Sequence, residues 1–222
     1  MTAITSQTRA ILFDHDGTLI DSERTHFELW QAIAREQGVT IDHDFYCRVM
    51  AGIPVKQNAQ DLVSHFSLSV GADVLAEKKY AAMRDFLATQ AFPLMPGAKA
   101  VIQASVEAGY TLAIVTGGSG LSVRRTIEKH GLDGLFSTVV AAEDVVRSKP
   151  APDCYNLALK QLKFSSEQAI AVEDTVHGMQ AALAAKLRCV AIPGDYSDGQ
   201  DFSAATVTYA SLQDWCAAEL ND

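Results

Sequence analysis

Asp14 and Asp16 stand two residues apart at the end of the short apolar run Ala10-Ile11-Leu12-Phe13, and Gly17-Thr18-Leu19 follows them. The run reads as a buried strand. In extended backbone, residues i and i+2 point to the same side, so both carboxylates can face one pocket while His15 turns aside. Two carboxylates held together repel each other and need compensation, most simply from a hard divalent cation such as Mg2+. Gly17 lets the chain turn sharply off the strand. Taken alone, the pattern also fits an acidic turn after a strand.

Three further stretches carry residue types that could act with this pair. In Ile114-Val115-Thr116-Gly117-Gly118-Ser119-Gly120 a strand ends in a hydroxyl and a glycine-rich turn leads into a helix. Free backbone N–H groups there, with the Thr116 hydroxyl, make an anion cradle. An ordinary flexible loop fits the same residues. The glycines lack the G-x-G-x-x-G spacing and do not follow the first strand, which argues against a dinucleotide site. In Ser148-Lys149-Pro150-Ala151-Pro152-Asp153 a lysine sits on a stiff segment, and Asp153 is placed to cap the next helix. Lys149 is either a point charge aimed at phosphate and Asp14 or a solvated surface lysine. In Val172-Glu173-Asp174-Thr175 a strand again ends in acids. These could complete a Mg2+ shell, or simply favour a helix macrodipole.

The elements that must position these residues alternate. Helical patterns cover 98–108, 121–130, 153–162 and 179–186, and a last helix starts at Ser211. Strand patterns cover 10–13, 111–115, 138–140, 169–172 and 189–192, with a further candidate at 206–209. Such alternation predicts an α/β fold with a parallel sheet covered on both faces. Residues 21–92 interrupt it with helical patterns alone, over 22–37, 42–51, 55–66 and 72–91. The expected division is a core of 1–20 and 93–222 with an all-helical insertion of 21–92 after the first strand. An insertion there would hang over the carboxyl ends of the strands, where open α/β sheets bind ligands, and could act as a lid.

The chain has 222 residues and a net charge of −9, without a basic stripe, which argues against a nucleic-acid partner. An anionic substrate would then need a local positive site. Cys47, Cys154, Cys189 and Cys216 are scattered and show no zinc or C-x-x-C spacing, as expected of a reduced, cytoplasmic protein. Residues 1–9 are polar and lack a signal-peptide core, and no apolar run nears the ~20 residues of a membrane span.

In order and position, the four stretches resemble the four motifs of the haloacid dehalogenase-like (HAD) phosphotransferases: Asp-x-Asp-Gly-Thr, a strand-end Thr, Lys-Pro and Glu-Asp. The resemblance covers nearly the whole chain. It implies a Rossmann-like core with an inserted helical cap, the subgroup that holds sugar-phosphate and phosphoglycolate phosphatases and β-phosphoglucomutases. It further implies a Mg2+-dependent hydrolase of a small phosphorylated metabolite. Asp14 would be the nucleophile that forms an aspartyl-phosphate, and Asp16 the acid and then the base. Mg2+ would be held by Asp14, the Asp16 carbonyl and Asp174, with Glu173 adjoining. Lys149, Thr116 and the Gly117 N–H would steady the phosphoryl oxygens.

Within the family pattern, an acid at the position of Asp16 points away from dehalogenases and phosphonatases and toward oxygen esters. His26 matches a histidine of the mutases, but Asp21-x-Glu23-x-x-His26 also suits sugar phosphatases. Glu23 and His26 share a helix face suited to sugar hydroxyls. The mutase pattern places a cap arginine three residues after a glycine. Counted from Gly52 that position is Val55, with Lys56 beside it. The expectation is therefore a sugar or polyol phosphate phosphatase, with a mutase as the alternative and a silent binding protein further behind. His15 and His177 are expected to pack or cap loops, and Trp30 and Trp215 to lie in the core.

Overall fold

The structure, a computed structural model, describes residues 2–197 and 199–220. The chain divides into two compact units, Met1–Asp21 with Phe92–Asp222, and Ser22–Ala91. The first strand is β1 (Ala10–Phe13). Helices α1 (Glu23–Glu36), α2 (His43–Phe45), α3 (Val55–Phe66), α4 (Ala72–Thr89) and α5 (Ala98–Glu107) follow. The alternation then runs β2 (Thr111–Val115), α6 (Gly120–His130), β3 (Thr138–Val140), α7 (Asp153–Leu162), β4 (Ala169–Glu173), α8 (Val176–Ala184), β5 (Arg188–Ala191), β6 (Val207–Thr208) and α9 (Leu212–Glu219).

The strands of the larger unit form one parallel sheet in the order β3-β2-β1-β4-β5-β6, the Rossmann-type order. β1 lies between β2 and β4, and all four of its residues are buried, as a strand covered on both faces requires. Its side chains alternate between two cores. Ile11 and Phe13 pack with Leu112, Ile114, Ile170, Val172 and Trp215 on one face. Ala10 and Leu12 pack with Ala113, Val115, Ala171, Cys154 and Tyr155 on the other. Residues 19–21 meet 93–95 through Met95 N–H to Leu19 O (2.9 Å) and Asp21 N–H to Pro93 O (2.9 Å), which clamps the two chain crossings at the base of the insertion.

Among its described residues the inserted unit consists of helices joined by turns, without a strand, and it buries Trp30, Ile33, Leu62, Leu75 and Leu87. The helix expected over 42–51 starts on an Asp42 cap, whose side chain accepts from Phe45 N–H at 2.7 Å. It then widens into a π-helical turn, Tyr46–Met50. Two local expectations change. α8 begins at Val176, three residues earlier than its apolar pattern suggests, because Thr175 Oγ1 accepts from Gly178 N–H at 3.1 Å. Asp153 does not cap α7. It is the first residue inside that helix, and its carboxylate takes a two-point bond from Arg147 (2.6 and 3.0 Å). The four cysteines form no disulfide, and among the described residues no helix is long and apolar enough to cross a membrane.

Candidate active site

Asp14 lies one residue past β1, where its N–H still donates to Val172 O (2.9 Å) and so extends the ladder toward β4. At the same end of the sheet β2 delivers Thr116 and β4 delivers Glu173 and Asp174. Lys149 reaches into this cluster from the loop before α7. Its ammonium has three protons and three acceptors: Asp14 Oδ1 at 2.5 Å, Glu173 Oε1 at 2.7 Å and Val115 O at 2.9 Å. The ring of Tyr155 lies 5.3 Å from Lys149 Nζ, and the Tyr155 hydroxyl donates to Glu173 Oε1 at 2.5 Å. The solvated-lysine alternative therefore does not hold for Lys149, which is 10% exposed and fully engaged.

Asp14, Glu173 and Asp174 each offer a carboxylate oxygen, all within 4.8 Å of one another. Burial raises the proton affinity of all three. For Asp14 the neighbouring Asp16 adds to this and Lys149 opposes it. Glu173 is pushed up to about 7 by burial, with Lys149 pulling the other way. Asp174 lies well above the usual carboxylate range through burial and then the charges of Asp14 and Glu173. Burial lowers Lys149, but Asp14 and Glu173 more than offset it and hold the ammonium protonated. The second Glu173 oxygen, Oε2, is buried without a hydrogen-bond partner. Buried oxygens so crowded, one of them an orphan, fit a hard cation that takes oxygen ligands. Asp174 is steadied by Thr18, whose hydroxyl donates to Oδ1 (3.1 Å), and by Ser197, which donates to the Asp174 carbonyl (2.6 Å).

Asp16 is separate from that carboxylate cluster. Its Oδ2 accepts from Thr116 Oγ1 at 3.1 Å, and Gly118 N–H donates to the same Thr116 oxygen at 2.8 Å. The Thr116 hydroxyl expected to hold a phosphoryl oxygen thus turns to Asp16, and Gly117 stands in the same turn. The Asp16 side chain is 34% exposed against 9% for Asp14, so it can exchange protons with solvent while Asp14 is shielded.

Glycines make these approaches possible. A Cβ on Gly17, which has φ +80°, would collide with the Asp174 carboxylate, and one on Gly178 would land on the Glu173 carboxylate. A Cβ on Gly118 would stand 2.5 Å from Asp16 Oδ2. Gly178 and Tyr155 were not singled out from the sequence. Tyr155 could have been found by its place in the first turn of α7, just after the Lys149 loop. For Gly178 the signal was a glycine in a helix first turn directly after the acids.

Glu23 and His26 belong to the inserted unit and have partners there. Tyr46 donates to Glu23 Oε2 at 2.5 Å, and Lys79 Nζ lies 3.2 Å from His26 Nδ1 and donates to His26 O at 3.3 Å. Lys79, also unmarked by the sequence reading, is buried, and burial brings its ammonium down to about 7 although Glu23 raises it. Its position four residues after Leu75 on the apolar side of α4 was the available signal. His177 is exposed on the first turn of α8, where Thr175 does the capping, so it neither packs nor caps. His15 is wholly buried, and Trp30 and Trp215 lie in the cores as expected.

Comparison with known proteins agrees with this geometry. The family model for haloacid dehalogenase-like hydrolases matches residues 11–192. The chain is 31% identical over 204 residues to protein CbbY of Cereibacter sphaeroides, covering 88% of this chain and 89% of that one. It is 33% identical over 186 residues to hexitol phosphatase A of Escherichia coli, covering 83% and 82%. The crystal structure of CbbY from Rhodobacter sphaeroides in complex with phosphate superposes with a TM-score of 0.77 at 28% identity, over 92% of this chain and 95% of that one. The fold is thus a Rossmann-like α/β fold with an inserted helical unit. The chain belongs to the haloacid dehalogenase-like hydrolases.

Proposed function

We propose that this phosphoric monoester hydrolase releases phosphate from a small sugar or polyol phosphate, with Mg2+ as cofactor, through an aspartyl-phosphate on Asp14. The observation that carries the reading is the buried Asp14–Lys149–Glu173 arrangement with Asp174 beside it and the more exposed Asp16 on the same turn. Asp14, Asp174 and the Asp16 carbonyl would hold the cation, with Glu173 adjoining. When bound, the cation supplies positive charge to the phosphoryl oxygens.

The chain's own residues carry the steps. The Asp14 carboxylate attacks phosphorus while the bond from phosphorus to the ester oxygen breaks, and Asp16 gives its proton to the leaving alkoxide. Water then attacks the aspartyl-phosphate and Asp16 takes its proton, which regenerates Asp14 and frees phosphate. Lys149 holds the orientation of Asp14 and places positive charge beside the developing oxyanion. The Gly117 N–H would complete the phosphoryl cradle, while Thr116 steadies Asp16. Residues 21–92 are assigned the role of a cap that selects the substrate, with Glu23 and His26 for sugar hydroxyls. The hexitol-phosphate specificity named for the relative supports a polyol or sugar ester. Val55, where the mutase pattern has arginine, removes the grip on a second phosphate and disfavours the mutase.

The test is phosphate release across sugar and polyol monophosphates with Mg2+ or EDTA, with Asp14→Asn as control. β-Glucose 1-phosphate is followed separately for isomerisation. Metal-dependent release that Asp14→Asn removes is expected. Isomerisation without net release would replace the reading by the mutase, and no turnover on any ester by the folded, Mg2+-supplied protein would replace it by a binding role.

A further inference from the structure

The residue between the two aspartates has a place of its own. His15 is completely buried, and its ring bridges two elements. On one side Nε2 lies 3.0 Å from Thr126 Oγ1 on α6, which also lies 3.1 Å from Ser122 O; with the Thr126 proton directed at Nε2, the neutral ring carries its own proton on Nδ1. On the other side Nδ1 faces Asp16 Oδ2 at 3.5 Å, and this nitrogen is a buried polar atom without a hydrogen-bond partner. The His15 carbonyl accepts from both Leu19 N–H (2.9 Å) and Ile20 N–H (3.0 Å), so the backbone that carries the ring is pinned as well. A buried polar nitrogen left without a partner costs free energy, and a protein retains one where it serves another group. Here that group is Asp16 Oδ2, the oxygen that Thr116 also holds.

We infer that His15 is a positioning residue for Asp16: together with Thr116 it fixes the plane of the Asp16 carboxyl group, using α6 as its anchor. The two contacts reach Oδ2 from different elements, β2 through Thr116 and α6 through Thr126 and His15. A carboxyl group bonded by Thr116 and faced at the same oxygen by the buried ring has its swing about χ2 restricted, and proton transfer to a leaving oxygen needs that bond set. Gly118 walls the same oxygen closely, since a Cβ there would stand 2.5 Å from it. The contact from the histidine thus completes a seat that the glycine leaves open.

The inference rests on the reading of Asp16 as acid and base, and the experiment separates the two. Wild type, His15→Leu, His15→Asn, His15→Gln and Asp16→Asn are compared at saturating Mg2+. Two esters are used: sorbitol 6-phosphate, or the fastest ester of the sugar and polyol series, and p-nitrophenyl phosphate. The readout is kcat/KM, which reports formation of the phospho-enzyme, the step in which the leaving group departs. An alkoxide needs the proton of Asp16, whereas p-nitrophenolate leaves without one. The asparagine amide can occupy the place of Nδ1, and the glutamine amide that of Nε2.

The expected result is a loss of about tenfold or more for His15→Leu on the alkyl ester, a part of the ~10²–10⁴ that a general acid supplies, and of under about threefold on p-nitrophenyl phosphate. His15→Asn should recover most of the alkyl-ester rate and His15→Gln should not. Equal losses of His15→Leu on both esters, or rescue by glutamine as good as by asparagine, would overturn the positioning role and leave His15 a packing residue. Equal losses of Asp16→Asn on both esters would remove the acid role of Asp16, and the inference with it. If His15→Leu does not fold, by its thermal unfolding profile, the asparagine and glutamine variants decide alone.

Discussion

Gly178→Ala gives a test of the packing around Glu173. Gly178 lies in the first turn of α8 with ordinary helical backbone, so alanine is acceptable there on conformational grounds and should even favour the helix by about 1 kcal/mol. Space is the obstacle, because the new Cβ would fall on the Glu173 carboxylate. That carboxylate is fully buried and held by Lys149 at 2.7 Å and Tyr155 at 2.5 Å. Driving it off Lys149 would break a buried ion pair at about 3–5 kcal/mol. Moving α8 outward instead would cost about 1–3 kcal/mol, as overpacking does. The cheaper route wins, so net of the helix gain the expected loss is about 0–2 kcal/mol, read at about 2–4 °C per kcal/mol for a chain of this size. The decisive assay is a double-mutant cycle by thermal or urea unfolding. In a Glu173→Ala background the collision is gone, and Gly178→Ala should become neutral or stabilising. The coupling should then equal the strain alone, about 1–3 kcal/mol between the two sites, outside the ~0.5 kcal/mol of independent mutations. Additive effects would refute the argument that Gly178 exists to admit Glu173.

Other expectations follow from the same contacts. Asp14→Asn should abolish phosphate release while leaving the unfolding midpoint close to wild type or above it, since it removes one of the mutually repelling buried carboxylates; residual turnover near wild type would exclude Asp14 as nucleophile. Tyr155→Phe removes the hydroxyl that Glu173 accepts, and should cost about 1.5–3 kcal/mol of stability, as a bond to a charged group does, read by urea unfolding. Lys79 titrates at about 7 in the fold against its ordinary 10.5 in the unfolded chain. Between these values the unfolded state binds more protons, so its contribution to stability rises with pH from about 7 to 10.5. Lys79→Met should flatten that rise in thermal midpoints measured across the window, and an unchanged slope would show that Lys79 is not titrating there.

The parallel sheet was legible because its central strands are unbroken apolar runs and its helices recur between them. Position in sequence also fixed that Asp14, Thr116, Lys149, Glu173 and Asp174 end strands or enter loops at one edge, where the structure brings them together. What each side chain touches was less legible. Thr116 reads as a phosphate ligand until Asp16 is seen at 3.1 Å. Asp153 reads as a cap until Arg147, six residues before it, is seen to claim its carboxylate. Local sequence gives the position of a polar group but not the competition for it, which long-range packing decides. Lys79 shows the same limit from the other side. Its spacing puts it on an apolar helix face, where a charged residue is rare enough to mark, yet only the fold supplies His26 and Trp30 as its neighbours.

The charges of the site explain why these residues are arranged as they are. Asp14, Glu173 and Asp174 bring three carboxyl groups, and Asp16 stands beside them, around the single ammonium of Lys149. That ammonium directs all its protons at protein acceptors. Such a set attracts cations and repels a phosphate ester. Burial is the first cause of the raised proton affinity of the three acids, and their mutual repulsion adds to it. On the proposed mechanism, a divalent cation held by these oxygens would reverse the sign of the local field and let a phosphoryl group approach Asp14. Lys149 then has a task the cation cannot perform. It stays fixed between Asp14 and Glu173 by geometry, holding the Asp14 carboxylate in one orientation.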